Sequence, residues 1–183
     1  MTIAITGGAG FVGRRLLERL SADGSAVRAL QNKTPLPDIE GLTPVQGRLD
    51  EKKACVELVS GCDTLVHLAG LVAAPRERDF HAVNAEATRG LVATAREAGV
   101  KRVLYISSLA ARRPDISAYA ASKYGGEQAC REEAGAAMGW DILRPPAVYG
   151  PGDTQVLTFF RLLQKGIALM PGGRDARLSL IYV

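Results

Sequence analysis

The feature that most constrains this chain is the segment at its start, where a short apolar run leads into a cluster of glycines. Ile3 to Ile5 has the length and the β-branched content of a buried strand. Gly7, Gly10 and Gly13 follow at intervals of three residues, and the apolar residues of segment 14–20 recur at helical spacing. A strand, a glycine turn and a helix N-terminus in this order are typical of a site for the pyrophosphate of a dinucleotide. We expect that site here; the alternative is an ordinary tight turn.

Each glycine has a separate expected role in such a site. Gly7 lets the chain turn sharply, Gly10 lets the backbone approach the pyrophosphate, and Gly13 lets the helix pack closely on the strand. The first helical turn, which contains Phe11 and Val12, then presents free N–H groups and a partial positive charge to the anion.

Length and composition indicate an ordinary globular protein. The 183 residues are enough for one sizeable core, and we expect one domain over residues 1–183. Hydrophobic residues make up 47% of the chain and charged residues 23%, which is typical of soluble proteins. No apolar run has membrane-spanning length, and because a strand is predicted at residue 3 we expect no signal peptide. We therefore expect a cytoplasmic protein with no membrane partner.

Charge and cysteine content argue against two further classes of function. The net charge of +4 comes from scattered basic residues, and aromatic residues are 5% of the chain, so we expect no nucleic-acid partner. The three cysteines, Cys55, Cys62 and Cys130, are odd in number and lack the spacing of metal ligands. We expect reduced thiols and no metal site.

The second predicted strand, 26–30, bears on the choice between NAD and NADP. In dinucleotide-binding folds an acidic residue at the tip of this strand binds the ribose 2′-hydroxyl and favours NAD. The residues at this tip are Gln31, Asn32 and Lys33, and none is acidic. Arg28 and Lys33 are nearby cations that could accommodate a 2′-phosphate, which favours NADP weakly. The alternative is that both are ordinary surface cations.

A polar loop, 34–44, separates the second strand from a short third strand, Val45 to Gly47. Asp50 follows, and a short helix is predicted over 51–60. The Asp50 carboxylate could bind the adenine edge or could cap this helix, and the sequence does not favour either alternative.

A fourth buried strand is predicted over Thr64 to Leu68, and Ala69 and Gly70 close it. Small residues at this point would let the backbone lie against the cofactor. His67 lies inside the apolar run, and we expect a packed core histidine there rather than a catalytic one.

Helical periodicity extends over residues 79–99, and Asn84 interrupts its buried stripe. A buried amide usually forms specific hydrogen bonds, so we expect partners for Asn84. The fifth predicted strand, 101–106, ends at Ile106 and delivers Ser107 and Ser108 at its carboxyl end. In open parallel sheets this end faces the ligand crevice.

The rest of the chain continues the alternation of strands and helices. We predict a long helix over 117–138, a sixth strand over 140–144, a proline- and glycine-rich loop over 145–153 and a helix over 154–166. This alternation predicts an α/β protein with a doubly wound parallel sheet and helices on both faces.

Tyr119 and Lys123 are four residues apart and therefore share one face of the long helix. A tyrosine has an ordinary pKa of about 10, and a nearby ammonium group lowers the pKa toward the range of a general base. Ser108 could hydrogen-bond the substrate oxygen or the phenol. A pair of this kind is common on protein surfaces, but here it follows a serine pair and a phosphate loop.

This combination resembles the extended short-chain dehydrogenases/reductases, which are also known as the NAD-dependent epimerase/dehydratase family. The matching stretches extend over nearly the whole chain: Thr6-Gly-Gly-Ala-Gly-Phe-Val-Gly13, His67-Leu-Ala-Gly70, Val83-Asn84, Ile106-Ser-Ser108, Tyr119-x-x-x-Lys123 and Arg144-Pro-Pro-Ala-Val-Tyr-Gly-Pro-Gly152. The resemblance implies a Rossmann fold with bound NAD or NADP.

The resemblance also implies roles for individual residues. Tyr119 would be the acid/base, Lys123 would lower the pKa of Tyr119 and hold the nicotinamide ribose, Ser108 would orient the reacting oxygen, and Asn84 would support the site. Pro146 and Val148 would line the nicotinamide. The full set of expected cofactor contacts is Gly7, Gly10, Phe11, Val12, Gly13, Gln31, Asn32, Lys33, Asp50, Leu68, Ala69, Gly70, Ile106, Tyr119, Lys123, Pro145, Pro146 and Val148.

Departures from the family pattern narrow the expected reaction. Sugar-nucleotide dehydratases of this family carry an Asp-Glu pair where this chain has Leu109 and Ala110. Members that act on sugar nucleotides often carry Asn at the position of Ala147, and an Arg-Asp-aromatic triplet where this chain has segment 177–183. These departures favour an NAD(P)-dependent alcohol/ketone dehydrogenase or reductase with a small-molecule substrate.

Other functions stay open at this point. One is a sugar-nucleotide epimerase of the same family, and another is a non-catalytic module that senses a dinucleotide or serves in assembly. Family members usually continue into a small C-terminal substrate-binding domain, which we expect to be largely absent from this chain. Many also pair the helices expected at 79–99 and 117–138, which implies a homodimer.

Overall fold

The computed structural model describes residues 1–168 and 177–183. The chain divides into two compact units, Met1–Arg144 and Pro145–Val183. The expected single domain over residues 1–183 stays a prediction.

The first unit is built on a six-stranded parallel sheet in the order β3-β2-β1-β4-β5-β6. In the register of this sheet, Ala4 is paired with Arg28 on one side and with Leu65 on the other. The strands are β1 (Thr2–Thr6), β2 (Ala26–Gln31), β3 (Leu42–Gln46), β4 (Thr64–His67), β5 (Arg102–Ile106) and β6 (Gly139–Leu143). This is the strand order of the Rossmann fold, so the predicted fold class is confirmed.

Helices connect the successive strands of the first unit except β2 and β3, which are joined by a loop. They are α1 (Phe11–Ala22), α2 (Lys52–Val59), α3 (Glu77–His81), α4 (Ala87–Glu97) and α5 (Ala118–Ala134). A π-helical turn, Ala82–Glu86, joins α3 to α4, and two 3₁₀ turns, Leu109–Arg112 and Pro114–Ile116, lie between β5 and α5.

The two faces of the sheet are buried under different helices. Side chains alternate along a strand, so Ile3 and Ile5 of β1 lie in one apolar cluster with Leu17 of α1, while Ala4 lies in the other. That second cluster contains buried residues of three helices, including Leu58 of α2, Leu91 of α4 and Cys130 of α5. Both faces of the sheet are therefore covered by helices, as predicted.

The strand order reverses its direction of growth between β1 and β4. In parallel sheets, ligands bind beyond the carboxyl ends of the strands at this point. The glycine turn after β1 and segment 68–70 after β4 lie at this edge, and a Cβ on Gly7 would come within 2.6 Å of the backbone N of Ala69. The fold therefore brings two of the predicted cofactor segments together.

Two predicted boundaries are wrong, and one predicted helix is irregular. Strand β3 begins at Leu42, because as an edge strand it accepts Pro44 opposite Ala29 within what we expected to be a loop. The helical segment expected over 79–99 contains the π-helical turn at Ala82–Glu86. Helix α5 ends at Ala134 instead of residue 138, because Gly135 adopts a φ of +55°.

The second unit contains a small two-stranded parallel sheet and one helix. Strand β7 (Ala147–Tyr149) pairs with β8 (Leu180–Tyr182), and Val148 lies opposite Ile181. Helix α6 (Gln155–Gln164) is capped by Asp153, whose carboxylate accepts three backbone N–H groups. The sequence predicted a loop over 145–153, and β7 lies within it. Across residues 1–168 and 177–183, no helix is both long and apolar enough to cross a membrane.

Candidate active site

The glycine turn has the geometry that a pyrophosphate site requires. Gly7 adopts a φ of +77°, and its carbonyl accepts the N–H of Gly10 at 3.0 Å. A Cβ on Gly13 would collide with the Gly7 carbonyl oxygen, so only glycine permits this close contact of helix and turn. Gly10 is the N-cap of α1 and has no side chain to cap the helix, and the first turn contains no acidic residue. The helix N-terminus, with Phe11 and Val12, is therefore suited to an anion.

Sequence reasoning missed Arg14, which lies beside this turn. Its guanidinium donates from Nε to the Ala9 carbonyl at 3.0 Å and from Nη2 to the Pro35 carbonyl at 3.1 Å. Arg14 thus ties the glycine turn to the loop that follows β2. The signal was available, since a basic residue immediately follows the third glycine.

The tip of β2 differs from our expectation at one position. Arg28 lies in the middle of the strand, and its guanidinium donates to the carbonyl oxygens of Glu57 and Ser60 at the end of α2. The suggestion that Arg28 accommodates a 2′-phosphate is therefore wrong. Gln31 is at the tip and accepts the Leu36 N–H at 2.9 Å.

Asn32 and Lys33 follow Gln31 at the tip of β2 and are exposed. Lys33 remains a candidate cation for the adenosine end of a cofactor.

Asp50 is held by a neighbouring arginine. Both of its carboxylate oxygens accept from Arg48, at 2.9 and 2.7 Å, and this hydrogen bonding lowers the pKa of Asp50. The helix that follows begins after Glu51, so Asp50 is not its N-cap. A role in binding adenine stays a prediction.

Segment 68–70 after β4 is fastened to the end of β1. The N–H of Leu68 donates to the Thr6 carbonyl at 3.1 Å, and the N–H of Ala69 donates to the Thr6 hydroxyl at 3.2 Å. A Cβ on Gly70 would come within 3.0 Å of Asn84 Oδ1 and 3.5 Å of Lys123 Nζ. Gly70 therefore lets two predicted site residues approach the backbone.

Asn84 has the specific partners that we predicted. It is fully buried on the π-helical turn. Its Oδ1 accepts the Leu71 N–H at 2.7 Å, and its Nδ2 donates to the Leu71 carbonyl and to Ser122 Oγ, each at 2.9 Å. Asn84 thus joins the segment after β4 to α5. Ser122, which completes this connection, was not identified from the sequence.

His67 is a packed core histidine, as predicted. It has no exposed surface, and its two ring nitrogens lie 2.5 Å from Thr6 Oγ1 and 2.9 Å from Thr88 Oγ1. Burial, with a smaller effect from the Lys123 charge, lowers the pKa of His67 to about 3. The imidazole is therefore neutral at physiological pH.

Lys123 is 4% exposed and points to the end of β5. Its Nζ donates to the Ile106 carbonyl at 2.7 Å and lies 4.5 Å from the centroid of the Tyr105 ring. Burial lowers the pKa of Lys123 to about 8, against the opposing effect of the Glu127 carboxylate. The side chain is still mainly a cation at pH 7.

Tyr119 and Ser108 both precede this lysine in the chain. Tyr119 is half-buried in the first turn of α5. Its ring packs edge-to-face against the ring of Phe80, with the two centroids 6.1 Å apart. Ser108 is half-buried two residues after the end of β5, and its Oγ accepts the Ala110 N–H at 3.2 Å. The side-chain roles of both residues stay predictions.

Glu127 is a third residue that the sequence analysis missed. It is fully buried one helical turn after Lys123. It accepts from Ser107 Oγ at 2.6 Å and, through both oxygens, from Arg144 at 2.7 and 2.5 Å. Burial alone would raise the pKa of the carboxyl, but the hydrogen bonds from Arg144 and Ser107 hold the pKa below its usual value. Glu127 and its partners Ser107 and Arg144 thus tie α5 to the carboxyl ends of β5 and β6.

The remaining expected cofactor contacts lie in the second unit. Pro145 and Pro146 precede β7, and Val148 is within it. Their contact with the nicotinamide stays a prediction.

The sequence matches the NAD dependent epimerase/dehydratase family over residues 3–183. This chain belongs to that family. The family expected from the sequence motifs is thus confirmed. This member of the NAD dependent epimerase/dehydratase family is similar both to curated proteins and to solved structures.

Two curated relatives are reductases by name. A ceramide reductase from Caulobacter vibrioides is 40% identical over 185 residues, which is 99% of this chain and 57% of that protein. A 4-hydroxy-2-methyl-3-oxo-4-farnesyl-3,4-dihydroquinoline-1-oxide ketoreductase from Stigmatella aurantiaca is 31% identical over 177 residues, which is 86% of this chain and 53% of that protein. The chain thus spans about half the length of the curated relatives that it matches.

A solved structure with bound NAD has the same architecture. It is a short-chain dehydrogenase/reductase superfamily protein from Agrobacterium tumefaciens, with a TM-score of 0.72 and 30% identity. The match covers 81% of this chain and 50% of that one.

Proposed function

We propose that this chain is the cofactor-binding part of an NAD(P)-dependent oxidoreductase that interconverts an alcohol and a ketone. The observation that carries the proposal is the placement of Lys123. Its buried ammonium group lies against the Ile106 carbonyl and near Gly70, beyond the carboxyl ends of β5 and β4, on the helix that also bears Tyr119.

The residues after β1 and β4 suit a dinucleotide. The pyrophosphate would lie against the N–H groups of Gly10 to Gly13, where a Cβ on Gly13 has no room. When bound, a nicotinamide cofactor supplies or accepts the hydride. The absence of an acid at Gln31 to Lys33, with the exposed Lys33 cation, supports a weak preference for NADP.

Tyr119 would move the proton of the substrate hydroxyl. In ketone reduction its phenol donates the proton to the substrate oxygen, and in alcohol oxidation the phenolate accepts it. The Lys123 cation would stabilise the negative charge that develops on the Tyr119 oxygen. Ser108 would donate a hydrogen bond to the same substrate oxygen, while Asn84 holds the segment after β4 in place.

The reaction class rests on the chain's departures and on its relatives. Leu109 and Ala110 stand where dehydratases of this family need an acid pair. The names ceramide reductase and ketoreductase support carbonyl reduction, and both ceramide and a farnesyl group are largely hydrocarbon. We therefore extend the proposal to a ketone on an apolar molecule.

The test is consumption of NADPH or NADH by the protein at its full natural length, with a panel of long-chain and cyclic ketones. Tyr119→Phe removes only the phenolic hydroxyl, so we expect kcat to fall by roughly 100-fold or more with the cofactor dissociation constant nearly unchanged. Tyr124→Phe is the matched control on the same helix, since Tyr124 is 37% exposed, and it should retain activity.

Two results would contradict the proposal. Unchanged turnover by Tyr119→Phe would exclude Tyr119 as the acid/base. Tight dinucleotide binding without turnover of any alcohol, ketone or sugar nucleotide would favour the non-catalytic sensing module instead.

A further inference from the structure

A chain of buried hydrogen bonds crosses the first unit behind the proposed cofactor segment. Its members are Thr6 of β1, His67 of β4, Thr88 of α4 and Asn84 of the π-helical turn, and none of the four has exposed surface. Thr6 Oγ1 lies 2.5 Å from His67 Nδ1, His67 Nε2 lies 2.9 Å from Thr88 Oγ1, and Thr88 Oγ1 lies 3.0 Å from the Asn84 carbonyl. This chain of contacts is continuous from β1 to the helices.

The direction of each hydrogen bond follows from what the end groups can do. The Asn84 carbonyl can only accept, so the single hydroxyl proton of Thr88 is donated to it. Thr88 Oγ1 must then accept from His67, which places the imidazole proton on Nε2. At the other end, Thr6 Oγ1 accepts the Ala69 N–H at 3.2 Å and donates its own proton to the bare Nδ1.

Packing around the Asn84 carbonyl supports this assignment. The Tyr105 hydroxyl also points to that oxygen, at 3.4 Å. A Cβ on Gly126 would collide with the same oxygen and with the Tyr105 hydroxyl, so α5 approaches the turn closely there. The carbonyl is thus enclosed, and the hydroxyls of Thr88 and Tyr105 satisfy it.

We propose that His67 is a positioning residue, held as the neutral Nε2–H tautomer, that fixes both ends of segment 69–71 from one imidazole. Through Thr6 it orients the acceptor for the Ala69 N–H. Through Thr88 it holds the turn whose Asn84 side chain bonds both backbone groups of Leu71. The functional part of this inference rests on the proposed function, because segment 69–71 is where the cofactor would lie.

The surroundings of His67 disfavour a charged ring. The Tyr105 ring lies against it, with centroids 5.4 Å apart, and the Lys123 cation is the charged group that acts on it. A protonated imidazole would donate from both nitrogens, so Thr6 Oγ1 would have to accept from Nδ1 and its own proton would lose the acceptor that Nδ1 provides. The neutral tautomer satisfies every member of the chain.

Nitrogen NMR of the ¹⁵N-histidine-labelled chain tests the tautomer directly. The sequence contains two histidines, so the His81→Gln chain shows His67 alone. We expect one protonated nitrogen, Nε2, and one unprotonated nitrogen, Nδ1, with both shifts constant from pH 8 to pH 5. A proton on Nδ1, or a ring that becomes a cation in that range, would overturn the proposal.

Thr88→Val and Thr88→Ser separate positioning from simple packing. Valine keeps the shape of threonine and removes the hydroxyl, whereas serine keeps the hydroxyl. We expect Thr88→Val to shift the His67 nitrogen signals and to weaken dinucleotide binding by about tenfold. Thr88→Ser should keep both the wild-type nitrogen signals and the wild-type affinity for the dinucleotide. Equal effects of the two substitutions would refute a positioning role.

These measurements remain decisive if the proposed reaction is wrong. The tautomer and the binding titration need no substrate, so a chain that binds dinucleotide but reduces no ketone still tests His67. If Thr88→Val does not fold, the NMR result on the His81→Gln chain decides the tautomer by itself.

Discussion

Burial decides how the polar residues of this chain behave, and the sequence indicates only part of it. His67 and Asn84 interrupt apolar patterns, which predicted correctly that both would be buried with specific partners. Arg28 was misjudged, because neither strand register nor the carbonyls at the end of α2 can be inferred from local sequence. Glu127 was missed because its partners, Ser107 and Arg144, lie just beyond the ends of β5 and β6 and are distant in sequence.

Burial of His67 should make the folded chain less stable in acid. The pKa of His67 is about 3 in the folded chain, whereas an unfolded chain has the ordinary value of 6.5. Below pH 6.5 the unfolded state therefore binds a proton that the folded state does not, so the free energy of unfolding falls as pH falls. This group should contribute a slope of about 1.4 kcal/mol per pH unit between pH 6 and pH 5.

Urea unfolding of wild type and His67→Gln at several pH values measures that slope. The variant should be less stable overall but should lack this part of the pH dependence. His81→Gln removes a histidine with an exposed side chain, and this variant should keep the pH dependence that is due to His67. Parallel slopes for wild type and His67→Gln would show that the buried ring is not responsible.

At the scale of secondary structure, periodicity located nearly every strand and helix of the first unit but not their irregularities. The apolar stripe of 79–99 is compatible with one continuous helix, and the π-helical turn arises where Thr88 and Tyr105 direct their hydroxyls at the Asn84 carbonyl. Thr88 is a local partner, but Tyr105 comes from β5, so local sequence alone cannot predict the turn. Strand β7 was missed because its pairing partner, β8, lies about 30 residues later.

The junction of α5 with β5 and β6 gives a prediction about stability. Glu127→Ala leaves the Arg144 guanidinium without its carboxylate and Ser107 without its acceptor. We expect a loss of about 3 kcal/mol in the free energy of unfolding, as for other broken buried pairs. Urea denaturation at neutral pH measures it.

Glu132→Ala is the matched control on the same helix. Its side chain is 58% exposed and pairs with Arg89 at 2.8 Å. Because exposed pairs contribute little, the expected loss is within about 1 kcal/mol. Similar losses for the two variants would contradict the role given to the buried pair.

For the whole molecule, strand order and the position of the glycine turn were the features most predictable from sequence. The alternation of strands and helices predicts a doubly wound parallel sheet, and this topology places Gly7 and Gly70 at one edge. Substrate choice is less predictable, because the chain spans about half of its curated relatives. The homodimer and the cytoplasmic location stay predictions.

The central claim is that the glycine turn at the start of the chain holds a dinucleotide, and calorimetric titration with NADPH and NAD⁺ tests it most directly. Two helical glycines provide matched variants: a Cβ on Gly13 collides with the Gly7 carbonyl, while a Cβ on Gly90 meets no atom within 4 Å among the described residues. We predict binding by wild type and Gly90→Ala, and an affinity at least about tenfold weaker for Gly13→Ala. Equal affinities for Gly13→Ala and Gly90→Ala, or a folded wild-type chain that binds neither dinucleotide, would contradict the claim.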